Sequence, residues 1–401
     1  MTEPQGKPRA SVRRRSTQLF RRRGVEVSVV HWFVLDFSMT FATLFGMVLV
    51  IFRDSFLPSR FFLDGDFIRD VARGYAVVVA DDSFRSVAEI YRFFGLADLP
   101  TLASLLGFGF GAAIIWCARF RFVKVPTVRV TMAFVLAMLM AAVYLGYYSK
   151  DVFVLPVVLV FLLSGRGRFA DILLIASAVL YAIEFRGYWL LIAALYIGFL
   201  IVLHRSRRKL PAAVAGAIVT LVIAGLVLPL VFHIDATHYR DVVNVDREGI
   251  ADAATVISPL VNSRSIPGGI LNLLAAFVGF IVPVPLLALG GAYYAVISLL
   301  FAVIWITVGL AIRGISSSQL PARGGPSFGE RGAALLAAFL VTQSLFEPDY
   351  GSALRHLTPL LVVAAALIAF VDGQAETAAG WGDQREALSA VSSRATERMG
   401  R

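Results

Sequence analysis

The sequence has a single cysteine, Cys117, in 401 residues. No intrachain disulfide is therefore possible, and Cys117, inside an apolar run, reads as a small packing residue. Charge is scarce too: Asp, Glu, Lys and Arg make up 16% of the chain, against about 25% in a soluble domain. Histidine occurs five times, and His233, His238 and His356 fall in no zinc-site spacing. Neither a metal nor a cofactor is expected. A cleavable signal peptide is not recognisable: the start is polar and basic, and the first apolar run is long and lacks a clear cleavage site.

What the chain does have is apolar length. Hydrophobic residues make up 58% of it, and several runs of about 17–25 residues are long enough to cross about 30 Å of hydrocarbon. The expected fold is an all-α polytopic membrane protein with the lipid bilayer as its solvent. The net charge of +10 could suggest nucleic acid. The arginines, however, cluster beside apolar runs, which is the positive-inside pattern of membrane proteins, so no nucleic-acid partner is expected.

Charge bookkeeping gives a topology of about ten spans, with a basic cytoplasmic N-terminus at 1–26 and a transmembrane domain at 27–372. The spans are placed at 27–52, 101–118, 127–147, 152–163, 169–184, 188–203, 211–232, 290–312, 332–346 and 357–371. Two long external regions follow, at 53–100 and 233–289. Pro283 and Pro285 break regular helix, so 269–288 reads as an external interfacial or re-entrant segment; irregular backbone at that depth needs protein or a wet cavity beside it. The loop 313–331 and an Ala/Gly/Ser-rich, disordered tail at 373–401 are then cytoplasmic. Asp36, the one acid deep in a span, reads as paired within the bundle.

The first external region carries two amphipathic patterns. Phe67, Val71 and Tyr75 recur at helical spacing, as do Phe84, Val87, Tyr91 and Phe94. Both segments read as helices on the membrane surface. Asp64 and Asp66 either cap the first helix or face a substrate hydroxyl.

Titratable chemistry gathers at the external span ends. "EPDYGSALRH" (347–356) holds Glu347, Asp349, Tyr350, Arg355 and His356 between two apolar runs. Lys150 and Asp151 sit at another span end, Arg186 between two spans, and Arg264 before a Pro-Gly turn. Arginines this close to hydrocarbon snorkel or bind an anion, and guanidinium matches phosphate oxygens bidentately. Lys150, Arg186, Arg264 and Arg355, with Tyr350, Asp64 and Asp66, are the candidate binding residues. Glu347, Asp349, His356 and Asp151 are the candidate catalytic groups, a carboxylate being able to deprotonate an attacking hydroxyl. Pro348 and Gly351 suit a tight turn.

The stretches "YYSKDVFVLP" (147–156), "FRGYWLL" (185–191), "NLLAAFVGFIVPVP" (272–285) and "FEPDYGSALRHLTPLL" (346–361) resemble the membrane polymerases of bacterial surface polysaccharide, the Wzy-like (EpsG-type) group. Leu286 stands after Pro-x-Pro where that family often has an aromatic. The resemblance implies a glycosyltransferase of the bacterial cytoplasmic (inner) membrane. It would join polyprenyl-diphosphate-linked oligosaccharide repeat units at the outer face, with a chain-length regulator as a possible partner. An O-antigen-ligase-like enzyme, a polyprenyl-phosphate-dependent glycosyltransferase and a lipid-linked glycan flippase remain as alternatives. The flippase would call for charge at mid-membrane and paired repeats.

The topology has a direct check. In a Cys117→Ala background, Ser352→Cys should react with an impermeant thiol reagent added outside, and Ser317→Cys should not. Equal labelling would overturn the sidedness of 269–288 and of everything after it.

Overall fold

Every apolar run expected to span forms a helix. The computed structural model describes residues 10–78, 82–164, 167–245, 255–262, 265–315 and 325–376, and the described chain is helical apart from one isolated bridge. Helix α1 (Ala10–Ile51) runs without a break through residue 26, the expected edge of the basic N-terminus. Along it Phe33, Phe37, Phe41 and Phe45 stack one above the next on an exposed face. In water such a face would be an aggregation liability; against lipid it is solvated.

The two amphipathic helices form as expected. They are α2 (Leu63–Arg73), ended by left-handed Gly74, and α3 (Asp82–Phe93). Ile68, Val71, Val87 and Tyr91 build an apolar cluster of their own with Tyr147 and Tyr148, apart from the main core. Asp64 and Asp66 do not cap α2: the N-cap position is Phe62, and no side chain bonds there. The chain enters α2 directly from a 3-10 turn at Ser59–Phe61, leaving no extended residue to act as a cap.

The remaining helices carry their own start signals. Pro100 opens α4 (Pro100–Phe122), and Thr127 caps α5 (Val128–Tyr144) by accepting from the Val130 N–H at 3.2 Å. Then come α6 (Leu155–Leu163), α7 (Arg168–Glu184), α8 (Trp189–Arg205), α9 (Lys209–Val231), α10 (His238–Val245), α11 (Ile266–Ile281) and α12 (Ala292–Gly314). A capping box of Ser327 and Glu330 starts α13 (Phe328–Phe346). The last helix, α14 (Tyr350–Glu376), tightens to 3-10 at Thr358–Leu360.

Val29–Ile51 of α1, α4, α9, α12 and α14 are long and apolar enough to cross a membrane; α5, α8 and α11 are apolar but shorter. The protein is a helical membrane protein. Helix α13 forms the axis of the bundle, packed along α8, α9 and α11 and buried from Phe328 to Leu345 except at Ala337.

Charges inside the bundle are paired. Asp36 meets Arg119. Arg331, 1% exposed, donates to Asp171 at 2.8 Å and to Ser164 at 3.1 Å, and Tyr196 also donates to Asp171, at 2.6 Å. Lys209 meets Glu330 at 2.6 Å. Asp372 holds Arg129 and accepts from Thr127 at 2.7 Å. That anchor keeps α14 helical to Glu376, past the expected start of a disordered tail at 373; residues 377–401 lie outside the described residues.

The EPDYGSALRH segment is also not the loop that was expected. Only Glu347, Pro348 and Asp349 break the helix, and Asp349 starts α14 by accepting from the Ser352 N–H at 2.7 Å. Gly351 is therefore helical, not a turn residue. Residues 255–257 of the long second loop staple this turn: Ile257 donates to Pro348 at 2.8 Å and Tyr350 to Thr255 at 3.0 Å.

Truncating one partner of a buried ion pair costs about 3–5 kcal/mol. Arg331→Ala should therefore lower the unfolding temperature in detergent sharply. Arg331→Met with Asp171→Leu should recover part of the loss. A single variant that melts like the parent would remove Arg331 from the structural core.

Candidate functional site

Six of the predicted residues, contributed by separate segments, meet in one cluster. Asp151 lies in the 3-10 turn Lys150–Val154 before α6, with 2% of its side chain exposed. Its Oδ1 faces Arg186 Nη1 at 3.2 Å, and its Oδ2 faces Arg355 Nε at 3.5 Å. Arg186 comes from the short connection between α7 and α8, and Arg355 from the second turn of α14. Arg355 Nη1 reaches Asp64 Oδ2 of α2 at 2.6 Å. The four form an alternating row: Arg186, Asp151, Arg355, Asp64.

Beside the row stands a second pair. His356 Nδ1 lies 2.8 Å from Glu347 Oε2, and His356 Nε2 lies 3.5 Å from Arg355 Nη2. An arginine N–H can only donate. Nε2 therefore presents its lone pair, and Nδ1–H donates to Glu347. A neutral imidazole held by a carboxylate, its other nitrogen unprotonated and turned to Arg355 in the charged row, has the arrangement of a general base.

The row sets the charge of its members. Burial opposes ionisation of Asp151, but the cations Arg186, Arg355 and Lys150 hold its carboxyl below the ordinary value. Partial withdrawal from water likewise opposes the charge of Asp64; Arg355, Lys150 and Arg186 override it and hold the carboxyl at about 2. Burial works against the Arg186 guanidinium, and the Asp151 carboxylate more than compensates, raising it well above its usual value. Tyr188 accepts from Arg186 at 2.8 Å. All these groups keep their charge states across the physiological range.

The other predicted residues fall elsewhere. Lys150 borders the cluster, its ammonium 3.4 Å above the Phe84 ring and 3.3 Å from Ser83 of α3. Asp66 accepts from Tyr147 at 2.5 Å and pairs with Arg69 at 3.4 Å. Asp349 is occupied as the α14 cap and meets Thr255 at 3.3 Å. Tyr350 is buried between Phe280 and Phe301, with its hydroxyl against Gly279. Arg264 lies outside the described residues.

Two contributors were missed by the sequence reading. Tyr188 follows Arg186 closely and could have been included as a hydrogen-bonding neighbour. Arg240, on α10, gave no signal at all. It is 2% exposed and donates to the Ser344 carbonyl at 2.6 Å and the Glu347 carbonyl at 3.0 Å. These are orphan acceptors at the C-terminal end of α13, so Arg240 fixes the backbone that carries Glu347. A cleft of about 20 Å³, room for a single water, opens beside the row between Asp64, Lys150, Asp151, Arg355 and Tyr147. Among the described residues no three His, Cys, Asp or Glu side chains group as a metal site.

The chain matches no family model, no curated protein and no solved structure.

Arg240→Met keeps the apolar stem and removes the two charge-assisted bonds, each of a class worth about 1.5–3 kcal/mol. The expected result is a lower unfolding temperature together with faster amide exchange at 344–347. Unchanged exchange there would mean that Arg240 does not hold the α13 end.

Proposed function

We propose that this protein is a multi-span membrane glycosyltransferase that joins polyprenyl-diphosphate-linked oligosaccharide units into a polysaccharide at the outer face of a bacterial cytoplasmic membrane. The observation that carries the reading is the meeting of the Arg186–Asp151–Arg355–Asp64 row with the His356–Glu347 pair. One element offers fixed cations for an anionic leaving group. The other offers a base for an attacking hydroxyl.

The proposed topology has about ten spans, both termini cytoplasmic and the cluster external. Its support is that the segments assigned to the outside by charge are the ones that converge. Helix α11 has 16 residues, and its end meets α12 at Phe280–Phe301, well along the latter. Ser298 donates to the Pro283 carbonyl at 3.3 Å. A chain that turns at 282–291 against the middle of α12 supports the re-entrant reading of 269–288.

In the proposed step, His356 Nε2 removes the proton from an acceptor sugar hydroxyl. Glu347 holds the ring and stabilises the imidazolium that forms. The hydroxyl oxygen bonds to the anomeric carbon of the donor sugar as the bond from that carbon to the diphosphate oxygen breaks. The electron pair leaves with the diphosphate. Arg355 and Arg186, with Lys150, stabilise the charge growing there; fixed cations in a poorly hydrated site do this better than water. Glu347 thus acts through His356, which takes the role of base that the sequence alone had left open among Glu347, Asp349, His356 and Asp151.

The test uses the full chain in nanodiscs with lipid-linked repeat units, product length being read on a gel. His356→Gln should lose about 10²–10⁴-fold in rate. Glu347→Gln should fall in the same direction, and the double variant should be no slower than His356→Gln alone, because the two act as a unit. Arg355→Lys keeps the charge but loses the fork and should be clearly slower. Parental rates in His356→Gln would overturn the base assignment. Product formed only on a different acceptor lipid would indicate a ligase in place of a polymerase.

A further inference from the structure

The cluster is closed by its own carboxylate. Around Arg355 stand the acids Asp64, Asp151, Asp349 and Glu347, and within the row Asp64 and Asp151 balance Arg186 and Arg355, with His356 neutral. Of these acids, Asp151 and Glu347 are buried, with 2% and 6% of their side chains exposed, while Asp64 keeps 39% exposed at the edge. Asp64 is also the only one of these acids carried by the surface helices. If it withdraws, the row is left one positive charge in excess, with an open guanidinium edge at Arg355.

The helix that carries Asp64 is suited to withdraw. Helices α2 and α3 share an apolar cluster with Tyr147 and Tyr148 that meets the main core only at its edge, through Phe153 and Phe185, so a shift of these helices leaves the bundle interior closed. Next to the row they are held by polar contacts, Asp64 to Arg355, Asp66 to Tyr147 and Lys150 to Ser83, and behind these by the Tyr91 and Phe62 rings on Tyr148 and Tyr147. Helix α2 also seats against the 147–148 segment at Gly65. A Cβ there would stand 2.1 Å from the Tyr147 ring and 3.0 Å from the Tyr148 carbonyl oxygen.

We propose that the Asp64 carboxylate occupies the seat of a phosphoryl oxygen, so that α2 and α3 form a lid which a diphosphate opens by displacing Asp64 from Arg355. The inference rests on the transferase reading for the identity of the ligand, and its chemistry is that of a diphosphate anion, lipid-linked or free. The resident carboxylate is a built-in competitor. It keeps the buried Arg186 and the half-buried Arg355 neutralised and sets a threshold that only a multiply charged ligand crosses. Because Asp64 stays ionised down to about pH 2, the lid contact does not depend on pH in the physiological range.

The experiment measures pyrophosphate binding calorimetrically on the full chain in nanodiscs, with a second arm in which undecaprenyl diphosphate is incorporated in the disc. Asp64→Asn should tighten binding about tenfold, which is about 1.4 kcal/mol. That result alone would also follow from deleting a nearby negative charge. Gly65→Ala keeps the charge and wedges α2 away from Tyr147, and it should tighten binding in the same direction. Should Gly65→Ala fail to fold, the lid is read directly instead. Spin labels at Val77 and Leu190 in a Cys117→Ala background should move apart on adding pyrophosphate, and should already be apart in Asp64→Asn.

Unchanged or weaker binding by Asp64→Asn overturns the proposal. So does tightening by Asp64→Asn with no response from Gly65→Ala or from the label distance, since the charge would then act from afar. No binding to parent or variant in either arm overturns it too. Binding in the lipid arm only identifies a lipid headgroup as the source and supports it. The transferase reading fails separately, by absence of polymer while these binding differences persist.

Discussion

Everything at the candidate site depends on one buried carboxylate. Asp151 is withdrawn from solvent and lies between two guanidinium groups from distant parts of the chain. A buried charge left alone costs several kcal/mol, so Asp151, Arg186 and Arg355 each require the others. The fold follows from that need. The turn after α5, the connection between α7 and α8 and the start of α14 must all end at one place. Three helix junctions that could otherwise slide past each other are pinned by a single alternating row.

The row is supported from below by α13, which is enclosed on every side. An axial helix of this kind has no lipid face and tolerates polar residues only where they are satisfied. At its first turn Glu330 meets Lys209 and Arg331 meets Asp171. At its last turn Arg240 takes up the carbonyls of Ser344 and Glu347. Helix α13 is therefore fixed at both ends by charge and along its length by packing. Glu347 leaves that rigid end with its carboxylate aimed at His356, and the bridge from Val256 to Asp349 closes the turn from the other side. The imidazole is oriented by backbone that cannot easily shift.

Against this rigid floor, α2 and α3 are built differently. They meet the floor through ring contacts to Tyr147, Tyr148 and Phe153 and, at the site itself, through polar contacts, the kind that exchange with a charged ligand at modest cost. Contacts between packed side chains would not exchange so readily. The division places a deformable roof over a stiff, charged base. The proposed transfer, which would admit a large anionic headgroup and then exclude water, calls for both.

Much of the fold was legible in the sequence. Apolar runs and arginine-rich junctions located the helices, because hydrocarbon leaves a backbone few alternatives to helix. The amphipathic period located α2 and α3, and Asp36 was correctly read as paired. Candidate charges were legible as types: Lys150, Asp151, Arg186, Glu347, Arg355 and His356 stood out because a charge beside lipid is expensive. Their partners were not legible. Asp64 lies hundreds of residues from Arg355 and looked like a helix cap; Asp349 looked catalytic and is a cap; Tyr350 looked like a binding residue and is packing. Arg240 belonged to an ordinary polar loop. Local pattern reports what each segment does with its own backbone and its own face, and the solvent enforces it position by position. Which carboxylate meets which guanidinium is decided by helix ends brought together from afar, and that pairing is a property of the packed bundle alone.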